Sequence, residues 1–433
     1  MTIRRAVFLI VGVLVAAVAV VALLVTIVTR QQEARLTYFK LTDIADDEPD
    51  PAVWSKNFPR QYELYMKTTK TSELVKYSQY GRYGGSEAFS RLDKYPDLRR
   101  LFAGYPFSVE YNEDRGHLSA LEDVQKIKRL GDAKPGTCIT CKTSNFKRMD
   151  TTLGTAKLYA TPMKDLIAQN SPMYSISCAD CHEPASMALR ITRPAFEEAM
   201  SARGIDVSKA TRQEMRSYVC AQCHVEYYFK GDGKYLTFPW SKGLKIDNIA
   251  AYYDEIGFSD WIHEETKAPL VKIQHPDFEM FSSGIHARAG LSCPDCHMPY
   301  KREGAVKITD HWIRSPLANL TSSCGVCHRY SEEELKGRVL EIQDSTFSLL
   351  NRSDKAIVAA QDAIKSAMAR GVSDDSLKEA RSLHRSAFIR YDFVSAESSM
   401  GFHSPQEAVR MLGDSIDYAR QAELAATKAI GSK

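Results

Sequence analysis

A surplus of one charge sign is nearly missing from this chain: 57 basic against 54 acidic residues leave a formal charge of +3 over 433 residues. So small and evenly spread an excess excludes a nucleic-acid-binding surface. Unpaired cysteine is missing altogether, since each of the ten cysteines belongs to a C-x-x-C pair. Strand-like runs are few. What is present, 44% hydrophobic and 26% charged residues, is enough for a substantial buried core, in two lobes, and excludes disorder as the default.

At the N-terminus, Arg4 and Arg5 precede an uncharged run from Ala6 to Thr29, closed by Arg30. At about 1.5 Å per helical residue this run crosses the roughly 30 Å hydrocarbon layer, and the leading arginines favour a cytoplasmic N-terminus with everything after it outside. A cleaved signal peptide is the alternative to a retained anchor.

The cysteine pairs are Cys138/Cys141, Cys178/Cys181, Cys220/Cys223, Cys293/Cys296 and Cys324/Cys327. Four are followed at once by histidine: His182, His224, His297 and His328. This is the c-type haem attachment signal. Two thiols three residues apart form thioethers to the two vinyl groups of one porphyrin, and the next side chain reaches the iron from the same face. Zinc takes two such pairs per tetrahedral site, which would strand one pair here and leave four adjacent histidines unexplained. A thioredoxin-like pair would occur once, near a βαβ pattern. The sequence therefore predicts five haem c groups. The first pair differs, because Cys138-Ile139-Thr140-Cys141 is followed by Lys142. Lysine ligates only when its proton, with an ordinary pKa of about 10.4, is displaced by burial and by the metal's own charge.

Eleven histidines are present and four are used by the motifs, leaving His117, His263, His275, His286, His311, His384 and His403. Closing four electron-carrying irons with a second histidine each leaves three. A single open iron with a histidine beside it is compatible with this count, and the count does not say which histidines are which.

These residues resemble the pentahaem cytochrome c nitrite reductases, periplasmic enzymes that form ammonia. The resemblance runs from Trp54-Ser55-Lys56-Asn57-Phe58-Pro59 to Gly401-Phe402-His403. It rests on one C-x-x-C-K haem followed by four C-x-x-C-H haems, on Cys223-His224-Val225-Glu226-Tyr227-Tyr228-Phe229, and on Lys272-Ile273-Gln274-His275-Pro276. It implies that Lys142 holds the catalytic iron, with Arg129, Tyr227 and His275 on its distal side. Arg129 lies twelve residues after His117 but only nine before Cys138, and Lys126 and Lys128 are the alternatives. The resemblance further pairs His311 with His182, His117 with His224, His403 with His297 and His286 with His328, which leaves His263 and His384 as packed or surface histidines. It implies a Ca²⁺ held by hard oxygen donors, the Glu226 carboxylate, the Tyr227 and Lys272 carbonyls and the Gln274 side chain; the alternative is a basic residue paired with Glu226. Nitrite as substrate, a homodimer and a membrane-bound multihaem quinol dehydrogenase as electron donor complete what it implies.

The fold class expected is mainly α: a multihaem cytochrome c with a loop-rich, haem-packed core and long C-terminal helices. Residues 1–30 are the anchor or signal, 31–53 a polar linker or arm, 54–330 the pentahaem catalytic region and 331–433 the long-helix dimerisation region. The catalytic region includes the glycine-rich loop 81–85. Ser331 with Glu334 forms a capping box opening a helix to about Arg370, with Leu335, Val339, Ile342, Leu350, Ile357, Ile364 and Met368 near helical spacing on one face. A second helix starts near Ser373, and Ser404-Pro405-Gln406-Glu407 announces a third. An intramolecular bundle is the alternative to dimerisation through these helices.

Overall fold

The computed structural model describes residues 3–35, 40–70, 89–113, 115–131, 134–304 and 306–431; the loop 81–85 lies outside them. Helix α1 (Ile3–Arg35) carries the apolar run. Its segment Ile3–Arg30 contains an 18-residue stretch with a mean hydropathy of 3.3 that buries nothing against the rest of the chain, and it is long and apolar enough to cross a bilayer.

Residues 40–50 form an arm clamped to the body. The Asn57 Oδ1 accepts from the backbone N–H groups of Leu41 and Thr42 at 2.8 and 3.1 Å, Ile44 packs on Trp54, Phe58 and Ala179, and Asp46 pairs with Lys147 and Arg190.

The middle of the chain is made of short helices, loops and three two-stranded antiparallel hairpins. The hairpins are β1 (Tyr228–Lys230) with β2 (Tyr235–Thr237), β3 (Trp261–Ile262) with β4 (Pro269–Leu270), and β5 (Tyr300–Glu303) with β6 (Val306–Thr309). Helix α2 (Arg212–Ala221) opens with a reciprocal Thr211/Glu214 capping box and ends one residue past Cys220, so that Cys223 and His224 leave from its last turn. Helix α3 (Asp277–Ser283) follows the Gln274-His275 segment directly.

Three long helices close the chain. Helix α4 (Glu332–Ala369) opens on the Ser331/Glu334 capping box, and Glu332, Glu333 and Glu334 sit in its first turn, where negative charge complements the helix dipole. Leu335, Val339, Leu350, Ile357 and Ile364 are buried along its inner face. The next helix is preceded by a 3-10 turn, Asp375–Leu377, and becomes α-helical at Lys378 as α5 (Lys378–Ala396), a few residues later than its sequence suggests. Helix α6 is Pro405–Gly431. Alanines at the contacts, among them Ala356, Ala360, Ala387, Ala408, Ala419 and Ala422, are fully buried and let the helices approach closely. Ser415 ties all three together, 2.7 Å from both Ser353 Oγ on α4 and Ala387 O on α5. The three helices thus form an intramolecular bundle, whose apolar cluster continues into residues 92–111 and 246–280. A second cluster, with Ile139, Phe146, Tyr159, Phe196 and Trp240, lies beneath the first cysteine pair.

Candidate active site

The haem-attachment segments fold by local rules. In Ser177-Cys178-Ala179-Asp180-Cys181-His182 and Ser292-Cys293-Pro294-Asp295-Cys296-His297 the serine and the aspartate three residues later satisfy each other's backbone N–H groups, a capping box that opens one helical turn bearing both thiols. The first pair sits on a 3-10 turn (Gly136–Ile139) whose backbone is pressed into its surroundings: a Cβ on Gly136 would lie 2.1 Å from Leu158 O. All ten thiols are free. The thiols of Cys141 and Cys223, of Cys220 and Cys293, of Cys181 and Cys223, and of Cys296 and Cys324 lie near enough to one another to alter each other's ionisation. The attachment points therefore form one connected chain from the first pair to the third, fourth and fifth, with the second joined at the third.

Four histidine pairs face one another. His182 and His311 have ring centroids 6.3 Å apart, His117 and His224 6.1 Å, His297 and His403 6.3 Å, and His286 and His328 6.4 Å. A metal about 2.0 Å from each of two imidazole nitrogens, themselves about 1.15 Å from their ring centres, separates the centroids by about 6.3 Å. The pairs thus fit irons between them. Nδ1 of His182, His297 and His311 lies 3.1, 3.1 and 2.8 Å from the carbonyl oxygens of Met187, Arg314 and Thr309. A carbonyl only accepts, so Nδ1 carries the proton and Nε2 is left for a metal. Burial, with the facing histidine second, pushes His117, His182 and His297 down to about 4, keeping them the neutral imidazoles that metal ligation requires.

A cavity of about 2140 Å³ runs between these groups, lined by nine of the ten cysteines, the eight facing histidines, Lys142, Tyr227, Gln274 and His275. Tyr227 and His275 are set side by side because two segments zip together. The His275 N–H donates to Val225 O at 3.3 Å and the Phe278 N–H to His224 O at 3.1 Å. The Gln274 N–H donates to Glu226 Oε2 at 2.5 Å and the Glu226 N–H to Glu279 Oε1 at 2.8 Å.

Arg129 is not among the residues that line this cavity. Its guanidinium lies 4.1 Å over the Phe107 ring and its Nη1 donates to Glu110 O at 3.4 Å, while its charge acts on the Cys138 thiol. Lys126 and Lys128 are exposed, and Lys126 is paired with Glu122.

Glu226 is fully buried, and burial first of all raises its pKa well above the carboxylate range. Tyr253 donates its hydroxyl to Oε1 at 2.7 Å. The Lys272 ammonium pairs instead with buried Asp392 at 3.0 Å, while Lys272 O accepts from the Gln274 side chain at 3.1 Å. The Glu226 carboxylate, Lys272 O and the Gln274 amide therefore converge. His263 and His384 are buried away from the cavity, with both Nδ1 atoms 3.2 Å from Thr266 Oγ1 and both Nε2 atoms 3.3 Å from Gln361 Nε2.

The cytochrome c552 family profile matches residues 50–433, nearly everything after the arm. The chain belongs to the cytochrome c552 family. A cytochrome c-552 of Parabacteroides distasonis is 44% identical over 398 residues, which cover 90% of this chain and 79% of the relative. One from Bacteroides fragilis is 43% identical over 425 residues, 96% and 84% of the two chains. Among solved structures, the catalytic subunit of the cytochrome c nitrite reductase of Desulfovibrio desulfuricans, described with two calcium sites, superposes with a TM-score of 0.82 at 34% identity, covering 90% of this chain and 88% of that one.

Sequence reasoning missed several residues that shape this cytochrome c552 site. Arg193, 1% exposed, donates through Nε to Thr140 O at 2.9 Å and through Nη2 to Thr143 O at 3.0 Å, the carbonyls on either side of Cys141-Lys142. Its Nη1 pairs with Asp180 at 2.5 Å, joining the first attachment loop to the second. Asp277 Oδ2 sits 3.0 Å from His224 Nδ1 and Glu397 Oε1 2.5 Å from His403 Nδ1. The aspartate within each S-C-x-D-C-H string was a usable signal for Asp180; nothing local marks the others.

Proposed function

We propose that this cytochrome c552 reduces nitrite to ammonium at the haem attached through Cys138 and Cys141, with Lys142 as its protein ligand and four bis-histidine haems supplying the electrons. The observation that carries this reading is the one-to-one match of four facing histidine pairs to the four C-x-x-C-H motifs. The fifth pair is instead followed by Lys142, in a cavity shared with Tyr227, Gln274 and His275.

The reaction consumes six electrons and eight protons, so an electron path and a proton supply must meet at one place. Haem held by Cys138, Cys141 and Lys142 would supply the iron that binds nitrite and passes electrons to it. Everything else falls to the chain. The neighbouring attachment thiols would place successive haems beside one another on the route to the first site. His275 holds and delivers protons from its imidazole, and the Tyr227 hydroxyl hydrogen-bonds the departing oxygen. Arg129 adds fixed positive charge at the Cys138 edge, favouring entry of an anion.

Calcium suits the oxygen cluster beside these two residues. Glu226 lacks the ammonium of Lys272, which is engaged by Asp392, so a buried carboxylate stands ready for a divalent cation. Turning the Gln274 amide over presents its oxygen alongside Lys272 O. The ion would stiffen the 224–228 and 272–279 segments and so fix Tyr227 and His275.

The protein works on the periplasmic side, held there by α1 as an uncleaved anchor, and takes electrons from a membrane-bound multihaem quinol dehydrogenase. It is a homodimer through its long C-terminal helices, where Val409 and Leu424 on α6 remain exposed for a second copy. The test is spectroscopic: one high-spin iron in five that binds nitrite or cyanide rapidly. Five low-spin, unreactive irons would make the protein an electron carrier. Dominant turnover of sulfite, hydroxylamine or tetrathionate would make it a different reductase.

A further inference from the structure

We infer that Asp277 and Glu397 are positioning residues that bias two neighbouring haems, the third (Cys220/Cys223) and the fourth (Cys293/Cys296), towards the oxidised state. The inference rests on the reading above that His224 and His403 ligate those irons.

Three of the facing imidazoles hold Nδ1 against a neutral backbone carbonyl: His182 with Met187, His297 with Arg314, His311 with Thr309. Two face a carboxylate instead: His224 Nδ1 hydrogen-bonds Asp277 at 3.0 Å, and His403 Nδ1 lies 2.5 Å from Glu397 as an ion-pair contact outside hydrogen-bond geometry. Both carboxylates are buried, at 8% and 4% exposure. Neither is loose. Asp277 Oδ1 accepts from the Ser398 N–H at 2.8 Å and its Oδ2 from the Ser398 hydroxyl at 3.1 Å, while Glu397 accepts from the N–H groups of Ser399 at 2.9 Å and Gly401 at 3.2 Å. Residues 397 and 398 are adjacent, so one short segment after α5 fixes the charge at both haems. The same segment leads to His403, whose carbonyl packs so tightly on Gly284 that a Cβ there would lie 2.0 Å from it. Asp277, Glu397 and His403 come close enough together to suggest a separate metal centre. However, the His403 ring already faces His297 at iron-spanning distance, which makes the two acids an outer shell of the haem pair.

A carboxylate accepting from Nδ1–H draws that proton away and makes the imidazole a stronger donor to its metal. It also places a full negative charge in a low-dielectric interior beside the iron, which favours the higher oxidation state. The second haem, whose two histidines both meet carbonyls, lacks this bias. Electrons reaching the third and fourth haems are held weakly there and move on to the first.

The test is a redox titration of the full-length five-haem protein, followed by electron paramagnetic resonance so that the haems are read separately. The facing rings lie at 34° at the second haem but at 73° and 65° at the third and fourth, which gives distinct low-spin signals. Asp277→Asn and Glu397→Gln remove the charge and keep an amide oxygen towards the imidazole, with the new NH2 turned to the backbone N–H of Ser398 or Gly401. D277N raises the potential of the third haem, and E397Q that of the fourth, while the second haem stays in place. If D277N fails to load its haems, Ser398→Ala reads the same site: removing a donor frees the carboxylate charge, and the third haem falls. Unmoved potentials with low-spin spectra intact, or equal movement of the second haem, overturn the inference. A third or fourth iron that is not low-spin in the wild type overturns the ligand assignment instead.

Discussion

Replacing Arg193 by methionine keeps the length and apolar stem of the side chain and removes its guanidinium. The losses include the ion pair to Asp180, the donors to Thr140 O, Thr143 O and Thr192 Oγ1, and the contact with the Phe146 ring. Asp180 keeps only the Ser177 N–H on its other oxygen, so a buried carboxylate is left without a counter-charge. Removing one partner of a buried pair costs about 3–5 kcal/mol, and the two orphaned carbonyls lie within that range because the groups act as a unit. Against a total stability of about 5–15 kcal/mol, R193M should lower the guanidinium unfolding midpoint markedly. It should also weaken nitrite turnover, since the carbonyls it releases bracket Lys142. Arg193→Lys keeps the charge but not the fork that reaches both loops, and should fall between. Unfolding curves by circular dichroism, taken with nitrite turnover, check this. An R193M protein within about 1 kcal/mol of wild type and equally active would refute the claim that Arg193 holds the lysine loop.

Other expectations follow from the same geometry. Lys142→His should retain five covalent haems by intact mass but convert the open iron towards a low-spin spectrum and lower turnover substantially; an unchanged spectrum and rate would mean that Lys142 is not the ligand. His275→Asn should leave the four low-spin haem spectra intact and reduce nitrite turnover by about 10²–10⁴, the usual worth of a general acid, while the pH profile loses its limb near neutrality. Chelation of Ca²⁺ should reduce activity and added Ca²⁺ restore it, and Glu226→Gln should abolish that dependence.

Much of the site was legible because the chemistry of haem attachment is local. Two cysteines and the following histidine must sit within one turn, so Cys178 to His182 announces itself in five letters, and the Ser331/Glu334 cap does the same for α4. The distal histidines are different: His311 reaches His182 only because the β5–β6 hairpin returns the chain, and His403 reaches His297 only after α4 and α5 have carried the chain out and back. No spacing encodes those distances, and the pairing could be approached only through resemblance to a family. Arg193 was invisible for a further reason. It serves backbone carbonyls up to 53 residues away, and a carbonyl has no sequence signature. Asp277 and Glu397 read as ordinary helix-end acids until the imidazoles they face are in place. The late start of α5 reflects the 3-10 turn at Asp375–Leu377, in which the Ser376 N–H bonds to Ser373 Oγ at 3.3 Å and delays the regular helix.

The most direct measurement is the product balance of the purified full-length protein turning over nitrite with reduced viologen. Six electrons consumed and one ammonium formed per nitrite, with no nitric oxide or hydroxylamine accumulating, is the predicted result. Viologen oxidised by nitrite without ammonium, or no oxidation at all, would contradict the assignment of the lysine-bearing haem as a nitrite-reducing centre.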